Sequence, residues 1–268
     1  MTSSERNGVV LSIDSANMPL VSSTDDGRVA LLSRLIDHAP LFPPASLDLP
    51  AALEEDRRAR EGSSAFMLGR FVCPASRLAE LPDVGRGVSV VLDNPESGVW
   101  LKPDPRVEAV EAPPGADLAS LVGLADEVYV EVPLDDDLVA RLAEVERYGL
   151  RAKVRCSGDT TRLGWFLCEC RARKIVYKAT AGLHHALSTE DEHGFLNLLA
   201  AAVYREEGAL DEREPGALEL RAEGLRWRRR TMGSAELLHA RRTKLHSIGS
   251  CSFFEPVAEL ERLGILPL

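Results

Sequence analysis

The chain has 268 residues, 45% of them hydrophobic, which is enough for one sizeable core, and a formal net charge of −10 at pH 7. Such acidity argues against general nucleic-acid binding, which needs a positive face for phosphates. No apolar run approaches the roughly 20 residues of a bilayer span, and Met1–Asn7 lacks the basic start and apolar stretch of a secretory signal, so the expectation is a soluble cytoplasmic protein with no membrane partner.

Five scattered cysteines, Cys73, Cys156, Cys168, Cys170 and Cys251, make no disulfide framework and fit a reducing compartment. Cys168 and Cys170, one residue apart, read as helix-packing residues rather than half of a zinc site.

In chain order, residues 1–25 form a polar segment rich in Ser, Asp and Asn, and residues 26–268 read as one domain. Apolar positions at helical spacing predict a helix over Arg28–Ile36. A second is predicted over Pro50–Arg60, with Pro50 suited to a first helical turn. Leu41-Phe42-Pro43-Pro44-Ala45 between them reads as a rigid extended connector.

From Ser64 onward short apolar strands alternate with helices. The expected strands are Phe66–Val72, Val88–Leu92, Arg106–Val110, Glu127–Val132, Arg151–Arg155, Ile175–Ala179 and Leu245–Ser250. Helices are expected over Leu118–Leu124, Asp135–Tyr148, Arg162–Arg173, Gly194–Glu207, Ala235–Thr243 and Pro256–Leu263. The repetition implies an α/β fold with a parallel sheet, and the length suits a TIM-like β/α barrel preceded by an N-terminal helical segment. Seven strands leave the barrel one short, and the hairpin-like Leu218–Arg228 is the candidate to supply or replace the eighth. An open doubly wound sheet is the alternative, although the dinucleotide glycine fingerprint is absent.

In such folds ligands lie beyond the carboxyl ends of the strands. If the apolar faces Ala152/Val154 and Ile175/Tyr177/Ala179 meet the helices, then Lys153, Arg155, Lys178 and Thr180 point into the barrel. The same alternation turns Glu131 and Tyr129 inward, and Arg70 is expected in a similar place near the end of the first strand. Buried charges cost several kcal/mol each unless paired or used, so a ligand site and a salt-bridge cluster of Glu131 with Lys153 and Arg155 are the competing accounts.

The densest segment is Lys178-Ala179-Thr180-Ala181-Gly182-Leu183-His184-His185. A neutral lysine attacks carbonyls, Lys153 is the neighbouring cation that would lower its pKa, and His184 or His185 would move protons. Lys178 as a plain anion anchor is the other reading. His193-Gly194-Phe195-Leu196-Asn197 opens a helix whose free N–H groups suit an anion. The turn Ser247-Ile248-Gly249-Ser250 suits a phosphate cradle or simply a tight bend. Arg226-Trp227-Arg228-Arg229-Arg230, the one strong basic run, is expected to pair with acids such as Glu212, Glu214 and Glu219.

The segment Lys178–His185 is similar to the Schiff-base strand of class I aldolases of the deoxyribose-phosphate type, where a strand-ending lysine is followed by small hydroxyl residues and glycine; the likeness covers about seven residues. Separately, residues 35–45, Gly69–Pro74, Lys178–His185, His193–Asn197 and Ser247–Pro256 together resemble an uncharacterised bacterial family, with Ala186 standing where that pattern would have proline. That resemblance carries no activity but implies that Phe42-Pro43-Pro44 belongs to the domain.

The favoured expectation is a lyase or isomerase acting on a small anionic carbonyl compound, without cofactor. Lys178 would form the Schiff base, and Arg70, Arg155, Thr180, His193, Asn197, Ser247, Gly249 and Ser250 would hold the substrate. A metal-assisted hydrolase using a divalent metal on His184, His185, Glu131 and Asp93 is the second expectation. A non-catalytic protein binding an anionic metabolite is the third, and a homo-oligomer is left open.

Overall fold

The computed structural model describes residues 25–93, 103–156 and 159–268. Seven barrel strands run along the chain as β1 (Ile36–His38), β2 (Leu68–Pro74), β3 (Val88–Val91), β4 (Val107–Ala112), β5 (Glu127–Glu131), β6 (Arg151–Arg155) and β7 (Tyr177–Thr180). Strands β8 (Leu218–Arg221), β9 (Gly224–Trp227) and β10 (Arg230–Met232) follow, and β11 (Leu245–Ser250) is the last. The barrel closes in the order β1-β11-β7-β6-β5-β4-β3-β2 with every pairing parallel, and β8–β10 form a separate antiparallel sheet. This is the TIM-like β/α barrel, with eight strands.

The closing strand is not the Leu218 hairpin but β1, which joins β2 to β11 through Ile36↔Leu68 and Asp37↔Gly249. Residues 28–36 carry helical spacing throughout, yet the helix α1 (Gly27–Leu32) stops early. Ser33 turns its hydroxyl back onto Val29 O (2.7 Å), and Arg34 adopts a left-handed φ of 49°. Arg34 N then donates to Phe66 O (2.8 Å), which redirects Leu35-Ile36 into the sheet.

Helix α2 (Leu49–Glu61) is capped by the Asp48 side chain, which accepts from Ala51 N (2.9 Å), with Pro50 in its first turn. The segment before it is a turn rather than an extended connector: Ser46 N donates to Phe42 O and Leu47 N to Pro40 O, both at 2.9 Å. Leu41 and Leu47, on either side of this turn, pack against the cluster that holds Phe71, Val88 and Val90.

The remaining helices are α3 (Leu118–Leu121), α4 (Leu138–Arg147), α5 (Thr160–Arg173), α6 (Phe195–Tyr204), α7 (Ser234–Thr243) and α8 (Phe254–Arg262). Val128, Val130, Val154, Tyr177 and Ala179 turn outward into the main core with residues of these helices, as the alternation predicts. Among the described residues no helix is long and apolar enough to cross a membrane.

The basic run lies on the small sheet. Arg228 and Trp227 reach Glu212, Arg226 reaches Glu219, and Arg230 reaches Glu206. Cys170 is buried in the core and Cys168 half-buried, with its thiol on Glu207.

Closure leans on one buried arginine. Arg241 of α7, 4% exposed, donates to the carbonyls of Leu31, Leu245 and His246, bridging α1 to the barrel wall. Arg241→Met is expected to lower unfolding free energy by about 3 kcal/mol, because it strands several buried carbonyls. Denaturant titration checks this, and a loss under about 1 kcal/mol would show that those carbonyls find other donors.

Candidate active site

Eight inward faces fill the barrel with charge in two tiers. Toward the amino ends, Glu127 at the start of β5 receives Arg70 (2.8 Å) and Arg151 (2.8 Å). The Tyr129 hydroxyl donates to it at 2.7 Å and also meets His246 Nδ1 (2.8 Å) and Arg151 (3.1 Å). Burial opposes ionisation of Glu127, yet His246, Arg70 and Arg151 hold its pKa well below the usual carboxylate range. Arg70 also binds Glu108 (3.0 Å). It therefore closes the floor rather than facing the mouth, because β2 runs on to Pro74 and places Arg70 early in the strand.

Above this floor lies the second tier, built from Asp37 (β1), Ser89 (β3), Glu111 (β4), Lys153 (β6), Lys178 (β7) and Ser247 (β11). Lys178 Nζ is 2.7 Å from Asp37 Oδ2 and 2.6 Å from Glu111 Oε1, with no exposed side-chain surface. Its ammonium sits 5.5 Å from the Tyr129 ring centroid, inside the range of a cation–π contact. The other oxygen of Glu111 faces Lys153 Nζ at 3.1 Å, and Lys153 also meets Glu131 Oε2 at 3.1 Å. Ser247 Oγ donates to Asp37 (2.7 Å), Arg70 N donates to Asp37 Oδ1 (2.9 Å) and Ser89 Oγ to Glu111 (2.8 Å). Carboxylate and ammonium thus alternate from Asp37 through Lys178, Glu111 and Lys153 to Glu131.

Burial alone would neutralise these groups; pairing reverses it. Lys178 is raised above its ordinary value because Asp37 and Glu111 outweigh desolvation. Against its own burial, Glu111 is lowered to about 2 by Lys178 and Lys153. Asp37 falls well below the carboxylate range through Lys178 and Arg70. The two carboxylates thus push Lys178 toward its charged form, the opposite direction to the lowering expected from a nearby Lys153.

Neighbouring His38 points the other way, into α2. Its Nδ1 meets Asp56 (2.9 Å) and Nε2 meets Glu55 (3.3 Å). Burial opposes its charging, but the two carboxylates raise its pKa above 6.5. A group raised in the fold contributes its full stability below the unfolded value and loses it as pH rises through the folded one. Melting temperature should therefore drop as pH rises above 6.5 by more in the wild type than in His38→Gln; parallel profiles would show that His38 is neutral in the fold.

The other expected site residues divide. Arg155 is exposed at the end of β6, and Thr180, Gly249 and Ser250 lie at the carboxyl ends of β7 and β11, where the mouth is expected. Gly249 is required there, since a Cβ would come 2.8 Å from Thr180 Cγ2.

His184 and His185 do not join Lys178. They lie half-exposed against α8, His184 3.4 Å from Glu255 and His185 3.8 Å from Glu259. Asn197 is structural: its amide donates to Ala209 O and Glu212 O and its oxygen accepts from Ser188 N, which staples the loop after β7. His193 is buried beside this loop at the start of α6. Asp93 binds Ser76, and Glu131 binds Lys153, so the four residues of the metal alternative are engaged in three separate places. Among the described residues no group of three or more His, Cys, Asp and Glu side chains is arranged to hold a metal ion.

Asp37, Ser89 and Glu111 are missing from the sequence-based site. The spacing of Val107-Glu108-Ala109-Val110-Glu111-Ala112 contains the signal for Glu111, but only once the strand is extended to Ala112. The β3–β4 register shifts between Val88 and Ser89, and Glu111 meets Lys178 across the barrel at 2.6 Å.

The fold and its interior charges define a β/α barrel with a lysine–carboxylate centre. No family model and no curated protein matches the chain.

Proposed function

We propose that this chain is an enzyme acting on a small anionic carbonyl compound, of lyase or isomerase type, with Lys178 as the Schiff-base residue. The observation that carries the reading is the placement of one wholly buried lysine between two carboxylates, Asp37 and Glu111, the second of which also pairs with Lys153. Structural ion pairs need one partner each; here the chain of five groups gives Lys178 a proton acceptor on either side.

In the proposed step, Lys178 passes a proton to Glu111 and its free amine attacks the carbonyl carbon. The carbinolamine hydroxyl then takes that proton back and leaves as water, giving the iminium ion. The positive iminium nitrogen draws electrons from the adjacent carbon as Asp37 or Glu131 accepts the proton that the substrate loses, and the same carboxyl then returns it to the enamine carbon. Lys153 holds Glu111 ionised at rest, and so acts as a positioning residue. Arg155, Thr180, Gly249 and Ser250 at the strand ends take the anionic part of the substrate. The exposed His184 and His185 have no part in this step.

The test is intact mass after borohydride reduction with pooled aldehydes, ketones and sugar phosphates. A stable single adduct supports the reading and its mass identifies the carbonyl. No adduct across the pool, in a protein that is stabilised by anionic metabolites, favours binding without catalysis.

A further inference from the structure

A cavity outside the barrel belongs to none of this chemistry. It lies between α5, α6 and α7 beside the amino ends of β7 and β11, has a volume of about 450 Å³, and falls within the range of small-molecule sites. Its floor is apolar, made by Leu167, Ile175, Tyr177 and Ala201. Tyr177 and Lys178 are adjacent, but alternation sends one into this cavity and the other into the barrel.

The rim is cationic: Arg171, Lys174, Arg205, Arg242 and Lys244 all line it, with His239, and among the described residues no carboxylate does. Arg171 is answered by Glu207 (2.9 Å). Among the described residues Lys174, Arg205, Arg242 and Lys244 have no acidic partner, although the chain as a whole carries ten more acidic than basic charges. Lys174 and Arg205 are held in left-handed conformations as the C-caps of α5 and α6, and the helix ends that carry them face the cavity. The consequence shows at Lys244, whose Nζ donates to Ala202 O (2.6 Å). Burial, then Arg205 and Arg171, lower its pKa to about 8. A bound anion would relieve that field; a neutral occupant would not.

We propose that this cavity binds an amphipathic organic anion, an apolar chain or ring on Leu167, Ile175 and Tyr177 with its carboxylate or phosphate held by Arg205, Arg242 and Lys244. It is a site distinct from the barrel interior and does not depend on the chemistry proposed there.

Calorimetric titration of the full chain with decyl phosphate, decanoate, decanol and inorganic phosphate tests it. Either decyl anion should bind at least about tenfold more tightly than decanol and than inorganic phosphate. The better of the two anions identifies the headgroup. Arg205→Ala and Arg242→Ala, both at exposed positions, should each weaken it several-fold, while His184→Ala, on the far loop, should leave it unchanged. Decanol binding as tightly as the anions would overturn the proposal, as would affinities indifferent to both arginine substitutions. Binding of inorganic phosphate alone would also overturn it.

Discussion

Replacing Lys178 by methionine should abolish borohydride-trapped adduct and lower unfolding free energy by about 3–5 kcal/mol, the cost of stranding a buried ion-pair partner. Two carboxylates lose their shared cation, since Asp37 and Glu111 both lie within 2.7 Å of Nζ. The penalty should be largest at neutral pH and shrink in acid. Both carboxylates are lowered in the fold, so their contribution is complete above the unfolded value near 4.3 and disappears as pH falls through the folded ones, about 2 for Glu111. Urea titrations at pH 7 and pH 3 check the sign. A penalty that grows in acid would mean that Lys178 is not the cation holding these carboxylates ionised. If the variant does not fold at all, the triple Lys178→Met, Asp37→Asn, Glu111→Gln removes the stranded charges and restores a folded, adduct-free protein.

The second large effect is expected at Glu111. Glu111→Gln keeps the side chain's shape and its contact with Ser89, but withdraws the base that takes the Lys178 proton. Adduct formation should slow by about 10²–10⁴-fold, the usual worth of a positioned acid–base group. Its pH profile should shift, since both Lys153 and Lys178 lose their common carboxylate. A purely structural Glu111 would lower stability and leave the trapping rate per folded molecule unchanged.

Much of this centre follows from alternation alone. Ala152 and Val154 must meet helices, so Lys153 must point inward; Tyr177 and Ala179 place Lys178 the same way. The inward turn of Glu131 rests on the same logic, with Val128 and Val130 as the outward pair. Asp37 escaped because residues 28–36 keep a helical apolar spacing across a break made by backbone geometry at Ser33 and Arg34, which composition does not encode strongly. The hairpin at Leu218 has correct local pairing but a partner sheet of its own, since nothing in a hairpin pattern says which edge it joins. The loop histidines had no periodicity to orient them. Their partners Glu255 and Glu259 come some 70 residues later on α8, a long-range contact outside any local pattern.

Arg70 failed for a different reason: its inward direction was legible, but its height in the barrel was not. A strand starting at Phe66 would lift Arg70 toward the mouth, whereas β2 starts at Leu68 and leaves it level with Glu127, the first residue of β5. Direction is a period-two property of the chain, while height depends on stagger between strands.

The most direct measurement is a peptide map of the wild-type protein after borohydride trapping, which needs no variant to fold. The result expected is a single modified peptide with the added mass on Lys178. Modification of Lys244, the lysine lowered to about 8 in the outer cavity, or of exposed lysines in proportion to their accessibility, would contradict a Schiff-base centre inside the barrel.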